Sequence, residues 1–171
     1  MNLFGFLKTP EPDNAAKEFF LLATDFEISR KESDLLLKYE AEKETYKKER
    51  LMMQTSFTQG FISHYARKSR NGFFIDTGKI LEEKIKEFYS ECNFFNFENE
   101  YELNEHLRRY YSFNTPDHML NAMFRAMWQE SALIKDHEVQ IIFKGSMNEF
   151  IHRLRTTFVS WVENLKRRGL A

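Results

Sequence analysis

The chain has 171 residues, enough for one domain and little more, and its 42% hydrophobic and 16% aromatic content argues against a disordered polypeptide. With 25 basic and 26 acidic residues the formal net charge is -1, so the chain as a whole exerts no attraction on nucleic acid or an anionic membrane. A single cysteine, Cys92, excludes an internal disulfide framework and agrees with a reducing compartment.

Glycine (6) and proline (3) are scarce, and 18 phenylalanines supply a large apolar area in few side chains. That composition predicts long helices with few turns, an all-α bundle of about six helices. The organisation expected is an N-terminal arm over residues 1–12 followed by one α-helical domain over 13–171. The arm is apolar at Leu3, Phe4, Phe6 and Leu7 and stops at the Pro10-Glu11-Pro12 run. It lacks the basic leader of a secretory signal, and nothing in the chain approaches the roughly 20 consecutive apolar residues of a membrane span. A soluble, cytoplasmic protein without membrane contact is the expectation.

The first helix is predicted from Asp13 to about Glu27, with Ala16, Phe19, Phe20, Ala23 and Phe26 at helical spacing. Ser29 and Glu32 have the spacing of a capping box and start a second helix. No Pro or Gly interrupts the chain from Ser29 to Gln59, so one long helix is expected over about 29–70, with a break near 55–60 as the alternative. Its middle, Glu40 to Arg50, is almost wholly charged and reads as a projecting or bridging stretch. A third helix is predicted from a cap at Asp76 or Thr77 to about Glu91, with further helices over 99–111 and from Thr115-Pro116 to about Ile134. Residues 135–144 alternate in part like a strand, and Phe73-Phe74-Ile75 is the matching candidate for a minor two-stranded element. Gly145 is expected to end that segment. Ser146 and Glu149 then resemble a second capping box, opening a last helix whose apolar stripe is Met147, Phe150, Leu154, Phe158, Trp161 and Leu165.

Chemistry-bearing patterns are sparse. A di-iron carboxylate bundle needs two Glu-x-x-His pairs, and Glu149-Phe150-Ile151-His152 is the one present. The other histidines, His64, His106, His118 and His137, have no Glu three positions earlier. Zinc-site spacings, a nucleophile elbow and a phosphate-binding glycine loop are missing, and Cys92 falls at a predicted helix end that disfavours a thiolate. No metal site and no cofactor are expected. Active sites assemble in space, so the missing motifs weigh against an enzyme and do not decide it.

Three functional readings follow. The leading one is a non-enzymatic protein acting by protein–protein interaction through helical surfaces or an apolar groove, with a partner or as a homodimer. Phe4, Phe6, Met52, Met53 and Phe57 are its candidate groove residues, since Met and Phe side chains adapt to many partners. The alternative is a nucleic-acid-binding or regulatory protein using three basic runs. These are Arg67, Lys68 and Arg70; then Arg108 and Arg109; then Arg153, Arg155, Lys166, Arg167 and Arg168. Taken singly, each run is better explained as a solvated face or as cations near a helix C-terminus. The third reading is a small-molecule- or metal-binding helical enzyme with a buried polar cluster that includes His106 or His118.

Overall fold

The computed structural model describes residues 10–39, 43–91, 105 and 137–170. It contains five extended helices among these residues: α1 (Pro12–Thr24), α2 (Arg30–Lys38), α3 (Lys43–Ser69), α4 (Gly72–Glu91) and α5 (His137–Arg167). No strand occurs among the described residues. No described helix is long and apolar enough to cross a membrane. Apart from Glu105, the helices expected over 99–111 and 115–134, with Cys92, His106 and His118, lie outside the described residues.

α3 is the axis of the bundle. Met52, Met53, Gln54, Thr55 and Ser56 are buried in succession, so neighbours surround this part of the helix on all sides. α1 and α4 run side by side in the same direction, linked by Asp13–Lys84 (3.4 Å) and by Phe20 set edge-on to Phe88. α5 runs parallel to α3 and antiparallel to α1. The α3–α5 seam is aromatic: Tyr46 meets Phe143, Phe57 meets Phe150, and Phe61 and Tyr65 meet Phe158, with ring centroids 4.5–6.2 Å apart. Residues 57, 61 and 65 follow one another at i+4 and therefore share a face. At one end of the seam Phe73, Phe74 and Trp161 extend the cluster.

Several local expectations hold. Ser29 and Glu32 form the capping box: the Glu32 N–H donates to Ser29 Oγ (3.2 Å) and the Ser29 N–H to Glu32 Oε2 (2.8 Å). All six residues of the expected apolar stripe of the last helix are buried.

Other expectations are overturned. The long helix over 29–70 is two helices: α2 ends at Lys38 and α3 starts at Lys43, while residues 55–60 lie within α3 without a break. Tyr46, Glu49 and Arg50, expected to project, are buried. The reason is tertiary: α2 and α3 are separate helices that pack so that Glu32 meets Tyr46 and Arg50. Segment 135–144 is helical from His137, and Gly145 lies inside α5. A helix-interior glycine costs roughly 1 kcal/mol, which burial of Val139 and Phe143 on the same stripe as Met147 and Phe150 outweighs. Ser146 therefore makes no cap; its hydroxyl donates back to the Ile142 carbonyl within the helix (3.4 Å). Phe73-Phe74-Ile75, the partner strand candidate, forms the first turn of α4. That helix starts before Asp76, because Asn71 Oδ1 accepts from the Phe74 N–H (3.4 Å) and supplies the cap. Pro12, expected to close the arm, is the first residue of α1. Arg70, at φ 52°, takes the left-handed conformation that ends α3.

Candidate functional site

The polar interior lies at the end of the bundle where α2 folds back. Glu32 is 1% exposed and Arg50 7% exposed, and their side chains pair at 2.7 Å. The Tyr46 hydroxyl donates to the same Glu32 oxygen (2.6 Å) and accepts from Arg50 (3.2 Å). The Arg50 guanidinium also lies over the Phe26 ring, 4.5 Å from its centroid. Burial pushes the Glu32 carboxyl up, but Arg50, the Tyr46 hydroxyl and Ser29 together outweigh it and hold the group below its ordinary value. Burial is also the main reason that the Tyr46 phenol is raised well above its ordinary value. Glu32 is therefore held as the carboxylate, and the Tyr46 phenol keeps its proton and donates it.

This clasp forms the back wall of a cleft of about 390 Å³ bounded by the α1–α2 connection, α3 and α5. Two buried polar atoms on that wall have no hydrogen-bond partner: Arg50 Nε, a donor, and Gln54 Oε1, an acceptor, the latter on a side chain 1% exposed. Unsatisfied buried polar atoms are uncommon in folded proteins and costly. Leu22, Phe26 and Phe150 supply the apolar walls, and Asp25, Glu27, Glu149 and Arg153 stand at the exposed mouth. The cleft shares Leu22, Asp25 and Arg153 with a groove of about 470 Å³ between α1 and α5. Leu21, 61% exposed, and Thr156 and Thr157 line that groove together with Glu18, which accepts from the Trp161 indole N–H (2.9 Å).

The residues selected from sequence fall elsewhere, apart from Arg153. Met52 and Met53 are core residues of α3, 1% and 0% exposed, and line neither cavity. Phe57 is half-buried against Phe61 and Phe150. Phe4, Phe6, Arg108 and Arg109 lie outside the described residues. Arg67, Lys68, Arg70, Arg155, Lys166, Arg167 and Arg168 are all exposed. Two of the basic runs come together: the Asn71 side-chain amide donates to the Leu170 carbonyl (3.4 Å), which sets the C-terminal ends of α3 and α5 side by side. Arg153 and Arg155 lie farther back along α5. His152 is exposed, as the core stripe requires, and Glu149 faces the cleft. Among the described residues no group of three or more His, Cys, Asp or Glu is arranged to hold a metal ion.

Sequence reasoning missed Glu32, Arg50 and Gln54 as site residues. Glu32 was accounted for by its cap, and Arg50 stood in a run of charges that reads as solvated. The one available signal was that Tyr46, Arg50 and Met53 share a helical face, which places a cation on the same side as core residues. Comparison with protein-family models, with curated proteins and with solved structures finds no match.

Proposed function

We propose that this is a non-enzymatic, cytoplasmic interaction protein whose binding surface is the groove between α1 and α5 together with the cleft at its end. The observation that supports this reading is the continuity of an open groove carrying an exposed leucine with a cleft whose buried wall holds Arg50 Nε and Gln54 Oε1 unpartnered. A rigid wall with unmet hydrogen-bond demand gains by receiving a partner's polar groups. The apolar floor adds area without requiring any chemistry. A photo-crosslinking side chain at Leu21, with the exposed Lys79 of α4 as control, tests the reading in cells. Discrete protein adducts from position 21, to a partner or to a second copy, and none from position 79 are expected. Adducts from neither position, or the same adducts from both, would overturn it.

A second reading is supported by the Asn71–Leu170 contact, which joins two basic runs at one end of the bundle. On this reading Arg67, Lys68, Lys166 and Arg167 contact nucleic-acid phosphates, and binding falls steeply as salt rises. Replacing these four by Ala leaves the core untouched, since all four are exposed. Undiminished DNA and RNA binding by that variant would remove the second reading.

A further inference from the structure

We infer that the cleft beside Arg50 and Gln54 receives a cationic side chain, lysine or arginine, from a peptide segment of the partner. The inference rests on the interaction reading above and names the partner's chemistry. Charge is the first argument. Asp25, Glu27, Glu32 and Glu149 line the cleft against Arg50 and Arg153, and Glu32 is already paired with Arg50. Asp25, Glu27 and Glu149 make no ion pair among the described residues, so the mouth keeps an uncompensated negative charge beyond what Arg153 offsets. Glu18 continues that charge along the adjoining groove.

Hydrogen-bond demand is the second, independent argument. Gln54 lines the cleft, and its Oε1 is a buried acceptor with no donor. A lysine ammonium or an arginine guanidinium brings donors only, which matches that atom and the carboxylates at the mouth. Arg50 Nε needs an acceptor, and a peptide carries one in every backbone carbonyl. The methylene stem of the entering side chain lies against Leu22 and Phe150, apolar walls that a stem can cover while its charged head is bonded. An anionic or purely apolar side chain leaves Gln54 Oε1 unmet and, if anionic, meets like charge at the mouth. A cleft of about 390 Å³ accommodates one long side chain with adjoining backbone.

The test uses the full chain and fluorescently labelled, end-capped alanine-based peptides. Each carries a leucine for the groove and, three positions away, Lys, Arg, Glu or norleucine; the readout is fluorescence polarisation. The Lys and Arg peptides are expected to bind on the order of tenfold more tightly than the Glu and norleucine peptides, with the difference shrinking in high salt. Asp25→Asn combined with Glu149→Gln should abolish that preference while leaving the weak norleucine binding in place. Gln54→Met should reduce Lys-peptide affinity without lowering the melting temperature, because it removes an unmet buried acceptor; a merely structural Gln54 would instead show lost stability and unchanged affinity. Equal or tighter binding of the Glu peptide, no binding of any peptide, or Lys binding indifferent to these substitutions would each overturn the inference. Crosslinking from position 21 together with any of those results leaves the interaction reading standing and removes the cationic ligand alone.

Discussion

The two ends of the α3–α5 seam solve the same packing problem with different physics. At one end Phe57, Phe61 and Tyr65 interlock with Phe150 and Phe158, and Phe74 and Trp161 complete the cluster. Among the described residues no charged group is buried there, and stability comes from area removed from water and from edge-to-face ring contacts. At the other end Glu32, Tyr46 and Arg50 form a buried hydrogen-bonded clasp, with Phe143 and Phe26 as aromatic neighbours. A clasp of this kind gains little net stability, because its Coulomb attraction is offset by the desolvation of both ions, yet it is severely damaged when one partner is removed. The clasp end keeps two polar atoms without partners and opens into a cleft. What separates the two ends is the opening: at the clasp end the unpartnered atoms belong to residues that line a cleft, whereas Ser56 Oγ and Gln59 Oε1, also unpartnered, belong to residues that line neither cavity.

Substitutions can break or sharpen this contrast. The largest effect is expected for Phe158→Ala, which empties the centre of the aromatic end and should cost about 3–5 kcal/mol, read as a lowered midpoint in urea unfolding. Arg50→Ala should approach that loss, about 3–5 kcal/mol, because it leaves the Glu32 carboxylate buried and unpaired. The double variant Glu32→Met, Arg50→Met should recover most of it; a double variant as unstable as Arg50→Ala would show that the clasp contributes net stability of its own. Acid sharpens the contrast without mutation. The folded-state Glu32 carboxyl lies below its ordinary value of 4.5, so its stabilising contribution is complete above that pH and is lost as pH falls through the lower folded value. Thermal melts of the parent should therefore fall through the acid range more steeply than those of the Met double variant, while Phe158→Ala should shift the whole profile and leave its slope unchanged. The smallest effect is expected for Gly145→Ala. A Cβ there meets nothing within 4 Å, so the substitution should stabilise the protein by about 0.5–1 kcal/mol. A loss of stability would show that α5 is not continuous through that position.

Much of the fold was legible locally. The Ser29–Glu32 capping box depends on spacing alone, and the stripe from Met147 to Leu165 depends on helical period alone, so both appear as expected. The start of α5 was not legible, because Val139, Ile141 and Phe143 fit a short strand as well as one helical face, and Gly145 resembles a terminator until Val139 and Phe143 are seen to continue the buried stripe across it. The candidate site was less legible still. Arg153 was singled out as a basic surface residue, and its place at the mouth of an acidic cleft follows only from the packing of α1 against α5.

The sequence by itself determined that the chain is helical, where the capping box forms and which face of α5 is buried, because propensity, capping and periodicity act over a few residues. Tertiary structure decided that α2 and α3 are separate helices, that Glu32 and Arg50 are buried together, and that Gln54 Oε1 is left without a hydrogen-bond partner. Those outcomes depend on which charges meet across helices, and a buried ion pair is tolerable only when both partners arrive at the same place.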